Sequence, residues 1–381
     1  MKIIVDENMP LGPQAFSALG EVTVLPGRAI DAQAVRDADA LAIRSVTKVT
    51  PALLQGSRVR FVGTATIGTD HVDAPGIQKM GVTFASAPGS NANSVSEYIT
   101  AMLLTLAHRR GEKLQGRTLG VIGCGNVGSR VAAKAEALGM TVLRNDPPLQ
   151  RQTGSPAYLP LEKLFAADFI TVHVPLTREG PDATWRLVDA AFLSRMKPTA
   201  TLINSSRGEV VHGEALAQAL DRRVIRAAAL DVWENEPGID FDLVHRVALA
   251  TPHIAGYSYD GKLNGTDMIY RAACACFGVQ PTFDVLAAAP ATSLPLLRLH
   301  ADGREDEDVL REAVKALYDI EADDARLRSG GAKPPEQRGP HFDHLRKTYP
   351  IRREFHNTIV LCDDASPRLR AKLKGLGFRV Q

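Results

Sequence analysis

At 381 residues, 45% hydrophobic and 23% charged, the chain has material for two or three packed domains. A net charge of +2 supplies no bulk field for nucleic acid or an acidic membrane, so neither is an expected partner. No apolar run approaches the ~18 residues of a spanning helix, and Met1-Lys2 leads directly into a strand. Neither a membrane helix nor a signal peptide is expected, and the cytoplasm is the expected compartment. Cys124, Cys274, Cys276 and Cys362 form no C-x-x-C pair; they read as free thiols, and no metal site is expected.

Residues 1–93 alternate strand and helix patterns, with strands at 2–5, 22–25, 40–43, 60–62 and 82–84 and helices near 11–19, 31–37, 51–55 and 74–80. That alternation predicts a parallel sheet covered on both faces. No glycine loop follows its first strand. Two of its strands instead run into polar loops, Arg44-Ser45-Val46-Thr47-Lys48 and Gly63-Thr64-Ala65-Thr66-Ile67-Gly68. Ligands bind at the carboxyl ends of such strands, so a binding role is expected here. Arg44 and Lys48 read either as phosphate-neutralising cations or as solvated surface charges. A helix follows to about His108, with Asn93 or Ser94 as its expected cap.

The stretch 118–146 carries the clearest motif. An apolar run, Leu119 to Ile122, enters Gly123-x-Gly125-x-x-Gly128, a helical stretch follows, and a second strand leads to Asp146. This is the strand–turn–helix–strand context of a dinucleotide fingerprint. The first glycine allows the turn, the second lets the backbone approach a pyrophosphate, and the third lets helix and strand pack closely. Asp146, 18 residues beyond Gly128, can accept from ribose hydroxyls and would repel a 2′-phosphate, which favours NAD over NADP. Pro147 and Pro148 are expected to force a turn. Cys124, inside the loop, is a candidate for oxidation. Later strands are expected at 169–174, 200–204, 227–231 and 247–249, with helices near 161–166, 189–195 and 213–221.

A helical stretch at 258–278 is expected to return the chain to the first domain, and 282–295 reads as a boundary. The expected organisation is a substrate domain from 1–93 and 255–284, a Rossmann cofactor domain at 94–254, and a small α/β domain at 285–381. The last of these shows a helix at 308–318, an exposed loop at 329–340, a strand at 358–362, a helix at 366–375 and a final strand at 378–380. It carries no chemical constellation, and dimerisation is its expected use.

Oxidising an alcohol against nicotinamide needs a base that titrates near neutrality, a carboxylate to hold its tautomer and stabilise its charged form, and a cation that grips a substrate carboxylate. His253, Glu236 and Arg207 supply these groups, each following an expected strand on the rim that bears the glycine loop. The other histidines of these domains, His71, His173, His212 and His245, read as structural.

At these residues the chain resembles the D-2-hydroxyacid dehydrogenase family, over about residues 40–278. The matching pieces are Gly68-Thr69-Asp70-His71-Val72-Asp73, the glycine loop, Asn204-Ser205-Ser206-Arg207-Gly208, Leu230-Asp231-Val232-Trp233 with Glu236-Pro237, and Thr251-Pro252-His253-Ile254-Ala255-Gly256. The resemblance implies two doubly wound parallel-sheet domains, Rossmann and flavodoxin-like, with NAD as cofactor. It implies His253 as the acid–base group, Glu236 as its partner and Arg207 as the carboxylate-binding group. It further implies cofactor contacts from Gly123, Gly125, Asn126, Val127, Gly128, Asp146, Val174, Ser205, Asp231 and Gly256, with Asp231 on the nicotinamide side. Val174 stands where many relatives place a hydroxyl. Substrate contacts are implied for Ser45, Thr66 and Tyr257. The opening Lys2 to Pro10 stretch, the Arg44–Lys48 loop and the C-terminal region narrow the implied reaction. It is oxidation of a small phosphorylated 2-hydroxy acid, 4-phospho-D-erythronate, in pyridoxal phosphate biosynthesis, by a homodimer paired through residues 285–381. Action on another 2-hydroxy acid such as 3-phosphoglycerate, or NAD sensing without chemistry, are the alternatives.

Overall fold

The computed structural model describes residues 1–381. The chain separates into two compact units, residues 1–93 with 257–291 and residues 94–256 with 292–381.

The first unit is built on β1 (Lys2–Asp6), β2 (Glu21–Leu25), β3 (Ala40–Ile43), β4 (Phe61–Thr64) and β5 (Thr83–Ser86). They pair in parallel in the order β2-β1-β3-β4-β5, a flavodoxin-like arrangement. Side chains alternate across the sheet. Ile3, Val5, Ala40, Ala42 and Phe61 pack with Leu263, Ile269 and Tyr270 of the helix Tyr259–Phe277. Ile4, Leu41, Ile43 and Val62 pack with Val35, Leu54 and Ile77 on the opposite face. β3 spans the residues expected of it, and the other four lie within two residues of expectation.

The second unit carries β6 (Thr118–Ile122), β7 (Thr141–Asn145), β8 (Phe169–Val172), β9 (Thr201–Asn204), β10 (Ala227–Leu230) and β11 (Leu249–Ala250). These form a parallel sheet in the order β11-β10-β9-β8-β6-β7. A single parallel bridge from Arg144 to Tyr158 continues it beyond β7. Counted from β6, the order is that of a doubly wound nucleotide fold, with the switch point between β6 and β8. A third parallel sheet joins β12 (Leu296–Arg298), β13 (Ile359–Leu361) and β14 (Arg379–Val380).

Five expectations are corrected. Residues 285–291 belong with the first unit, where Val285 is fully buried. Residues 292–381 do not stand apart: Leu327 and Phe342 join the core that contains Trp233, Phe241 and Leu216. The helix Ala92–Arg109 begins early enough that Asn93 and Ser94 lie in its first turn, not at its cap. Pro147 and Pro148 open a helix, Pro147–Thr153, because a missing N–H costs nothing in a first turn. The expected loop at 329–340 is a short 3-10 turn, Ser329–Ala332, followed by the helix Pro335–Lys347. No helix is long and apolar enough to cross a membrane.

Candidate active site

The glycine loop closes the carboxyl end of β6. Gly123 adopts φ +84, a conformation L side chains rarely take, and a Cβ there would meet the His173 carbonyl oxygen at 2.5 Å. A Cβ at Gly128 would fall 1.9 Å from the Gly123 carbonyl oxygen, so only glycine lets the helix Asn126–Ala137 approach. Gly125 precedes that helix, has no side-chain cap, and faces open space. Free N–H groups of a 12-residue helix thus point into a gap, which suits a pyrophosphate. Asn126, exposed, and Val127, half-buried, form the first turn.

Asp146 sits at the end of β7 and is already engaged. One carboxylate oxygen accepts from Cys124 N at 2.8 Å, and the other caps the following helix through Leu149 N at 3.0 Å. Each oxygen retains a lone pair for a ribose hydroxyl. The buried Ser205 hydroxyl has no protein partner, a vacancy of the kind a cofactor atom satisfies. The residues present therefore fit a dinucleotide. Val174 lies half-buried beside Gly123, with no hydroxyl to offer. Burial pushes the Cys124 thiol up to about 11, so it is a poor candidate for oxidation. Desolvation drives His173 down to about 3, keeping it neutral beneath the loop, in line with a structural role.

His253 and Glu236 meet. Nδ1 of His253 and Oε2 of Glu236 are 2.7 Å apart, and the other Glu236 oxygen accepts from Trp233 N at 2.9 Å. The imidazole is 33% exposed and the carboxylate 19%, so the histidine faces the opening and the glutamate backs it. Burial lifts the Glu236 carboxyl, but His253, Arg346 and the Trp233 N–H outweigh it, and its pKa lies below the ordinary glutamate value. His253 and Asn235 both adopt left-handed backbone, φ 57 and φ 60. Such residues persist only where neighbours over-determine them.

Asp231 is the chief neighbour. Fully buried after β10, it accepts from Thr251 Oγ1 at 2.6 Å, Ile254 N at 2.8 Å and Ala255 N at 2.9 Å, and its carbonyl accepts from His253 N at 2.7 Å. It braces the whole turn that presents His253. Burial raises its pKa despite His253 and these donors. Tyr98 and Trp233 extend the brace: Tyr98 shares a 2.7 Å bond with Thr251 Oγ1, and the Trp233 indole donates to the Thr251 carbonyl at 2.9 Å. Neither role was anticipated from sequence, because both partners lie far along the chain.

Arg207 stands on the neighbouring loop after β9. Asn204 builds that loop, accepting from Ser206 N at 3.0 Å and Ser206 Oγ at 2.8 Å and donating to the Arg207 carbonyl at 2.8 Å. Gly208 lets it touch the Glu236 segment: a Cβ there would lie 2.0 Å from the Trp233 carbonyl group. Gly256 closes the second unit after the braced turn. Ser45, Thr66 and Tyr257 belong to the first unit. Ser45 is exposed beyond β3. Thr66 shares a 2.8 Å bond with Thr64, which also holds His71 at 2.9 Å. Lys262 stacks 4.5 Å from the Tyr257 ring centre. Cys274 is buried and Cys276 exposed on one helix, and no cluster of residues is arranged to hold a metal.

A doubly wound sheet with a glycine-loop switch point and a histidine–carboxylate pair on the same rim defines a nucleotide-dependent dehydrogenase. Residues 95–255 match the family described as D-isomer specific 2-hydroxyacid dehydrogenase, NAD binding domain, and residues 290–377 match a domain of unknown function, DUF3410. The chain is 48% identical to the erythronate-4-phosphate dehydrogenase of Salinibacter ruber over 94% of both chains. It is 46% identical to that of Cellvibrio japonicus over the full length of both. Among solved structures, an NAD+-bound 3-phosphoglycerate dehydrogenase from Entamoeba histolytica is 25% identical, with a TM-score of 0.63 over 73% of this chain and 95% of that one. The chain belongs to the erythronate-4-phosphate dehydrogenase family, within the D-isomer specific 2-hydroxyacid dehydrogenases, enzymes that use NAD.

Proposed function

We propose that the chain oxidises 4-phospho-D-erythronate to 2-oxo-3-hydroxy-4-phosphobutanoate with NAD, in the cytoplasm, as a step of pyridoxal phosphate biosynthesis. The observation that carries this reading is the 2.7 Å His253–Glu236 pair on the glycine-loop rim of a chain nearly half identical, end to end, to enzymes so named. When bound, NAD supplies the acceptor for the hydride that leaves the alcohol carbon. His253 Nε2 takes the hydroxyl proton. Glu236 fixes the proton on Nδ1 and stabilises the imidazolium that results. Arg207 grips the substrate carboxylate in a fork. Gly123, Gly125, Asn126, Val127, Gly128, Asp146, Val174, Ser205, Asp231 and Gly256 form the cofactor site in this reading, with Val174 contributing its backbone only. Ser45, Thr66 and Tyr257 contact substrate. The organisation is a substrate unit (1–93 and 257–291) and a cofactor unit (94–256 with 292–381) whose C-terminal segment pairs two copies into a homodimer.

Following NADH absorbance over a panel of 2-hydroxy acids tests the proposal. Turnover should be highest with 4-phospho-D-erythronate, and His253→Ala should lower kcat by roughly 10²–10⁴-fold while leaving NAD affinity nearly intact. Preference for 3-phosphoglycerate would overturn the substrate. NAD binding without turnover of any acid would make the protein a sensor.

A further inference from the structure

The turn 251–255 carries His253 in left-handed backbone, φ 57, which a residue with a side chain keeps only when its neighbours hold it there. One face of the helix Ala92–Arg109 takes hold of both ends of that turn. Tyr98 meets the first end, its hydroxyl 2.7 Å from Thr251 Oγ1. Ser94, one helical turn earlier on the same face, donates to the Ala255 carbonyl at 2.9 Å. Both side chains are fully buried. Elimination fixes the direction of the first contact. A carboxylate only accepts, so Thr251 gives its one hydroxyl proton to Asp231 at 2.6 Å, and Tyr98 donates to Thr251. Burial and the nearby Asp231 push the Tyr98 phenol well above its ordinary value, so it keeps the proton it donates. The C-terminal segment backs this face. The Tyr318 ring lies 6.1 Å from the Tyr98 ring, and the Arg352 guanidinium stands 4.2 Å from the Tyr318 ring centre while its Nη2 donates to Ser94 Oγ at 2.6 Å.

We propose that Tyr98 is a positioning residue for the His253–Glu236 pair: its hydroxyl anchors the chain Tyr98–Thr251–Asp231 that sets the turn from which His253 reaches Glu236. Thr251 is the junction between the two halves of the pair. Through its hydroxyl it holds Asp231, whose carboxylate also takes the amides of Ile254 and Ala255. Through its carbonyl it holds the Trp233 indole at 2.9 Å, and the Trp233 N–H in turn holds Glu236 at 2.9 Å. A shift at Thr251 therefore reaches both the imidazole and its carboxylate, which meet at 2.7 Å. Tyr98 touches neither of them. It reaches the pair only by completing the hydrogen bonds of the Thr251 hydroxyl. Phenylalanine would keep the ring against Tyr318 and remove that one bond, leaving a buried hydroxyl short of a donor. The C-terminal segment, through Tyr318 and Arg352, thereby has a part in the geometry of the site besides pairing subunits.

The inference rests on the dehydrogenase reading, and its test separates the two. In the full chain, without cofactor or substrate, amide hydrogen exchange is followed at His253, Ile254 and Ala255 in wild type and Tyr98→Phe. The variant should exchange about fivefold faster at all three, the share of one neutral hydrogen bond, while amides of β6 and β9 exchange as in wild type. In turnover, Tyr98→Phe should lower kcat about tenfold with KM little changed. In a Thr251→Val background the same change should cost nothing further, because the hydroxyl it acts through is gone. Thr251→Ser keeps that hydroxyl, so the full effect of Tyr98→Phe should persist there, and this background serves if Thr251→Val does not fold. Unmoved exchange at the three amides, or equal acceleration in β6 and β9, overturns the proposal even if kcat falls, because a packing role alone would act that way. An unchanged kcat, or a full further loss in Thr251→Val, overturns it too. If wild type oxidises no hydroxy acid, the proposed function fails while the exchange rates still decide whether Tyr98 holds the turn.

Discussion

Gly208 is where the loop of Arg207 meets the segment of Glu236. Its hydrogen faces the Trp233 carbonyl group so closely that a methyl would overlap backbone atoms at 2.0 Å. Backbone cannot swing aside as a side chain end can, so Gly208→Ala must push the Arg207 loop outward. Overpacking of this kind costs about 1–3 kcal/mol, or a melting temperature lower by roughly 2–12 °C in a unit of this size. The loss of alignment should be the larger effect: displacing the group proposed to grip the substrate carboxylate by about 1 Å can cost ~10²-fold in turnover. Steady-state kinetics and a thermal melt on the same sample check both, with KM expected to rise alongside the fall in kcat. That His253 and Glu236 would meet was legible in the sequence because each follows an apolar strand, and strand ends of one parallel sheet share a rim. Their supports were not. Tyr98 and Thr251 stand 153 positions apart, and nothing local in either residue names the other. Asp231 reads as a candidate cofactor ligand, yet three donors from residues 251–255 occupy its carboxylate.

Among elements, the helix Ala92–Arg109 shows how the C-terminal segment is tied down. Glu97, fully buried, accepts from Phe355 N at 2.8 Å and from Arg352 NH1 at 3.2 Å, and Arg352 also donates to Ser94 Oγ at 2.6 Å. The glycine-loop helix joins the same network, with Lys134 donating to the Leu376 carbonyl. Burial and the nearby Glu354 push Glu97 up to about 8, against the pull of Arg352 and Lys134. A carboxyl whose folded pKa is raised favours the folded state fully below its ordinary value of 4.5, and that contribution is lost as pH climbs toward about 8. Glu97→Gln cannot ionise. Its melting temperature relative to wild type should therefore rise across that window, and a flat difference would show that Glu97 is charged throughout. The slope is the readout, because exchanging a carboxyl for an amide beside Arg352 and the Phe355 N–H can shift the absolute value at every pH. The helix Pro335–Lys347 explains the main misreading of elements. Gly330, Gly331, Pro334, Pro335, Gly339 and Pro340 form a run that spells a loop by local rules. The structure uses Pro335 in a first turn and carries Gly339 and Pro340 inside the helix. With one large apolar side chain buried, no periodicity marked the helix.

At the scale of the molecule, two sheets were readable in advance because a parallel sheet buried on both faces announces itself through alternating strand and helix patterns. In the third sheet β13 and β14 lie where strands were expected, whereas the three-residue β12 carries no pattern of its own, and its segment is tied to the cofactor unit through side-chain donors such as Lys134 to the Leu376 carbonyl and Arg328 to the Val244 and Val247 carbonyls. That attachment bears on how a pairing role for the C-terminal segment can be examined. Ending the chain at residue 291 would remove Leu327 and Phe342 from a core they share with Trp233, Phe241, Leu243 and Val244. Each large side chain lost from such a site costs about 2–5 kcal/mol, against a typical total of roughly 5–15 kcal/mol. It would also strip Arg328, whose guanidinium bonds the carbonyls of Val244 at 2.6 Å and Val247 at 2.8 Å. Asp324, which accepts from Ala250 N at 2.8 Å, would go too, freeing the last strand of the cofactor sheet. The shortened chain should lose cooperative melting and NAD binding together, even where the cofactor residues themselves are untouched. A well-folded, NAD-binding monomer from the same truncation would show instead that residues 292–381 only pair subunits, and circular dichroism melts with cofactor titration distinguish the two outcomes.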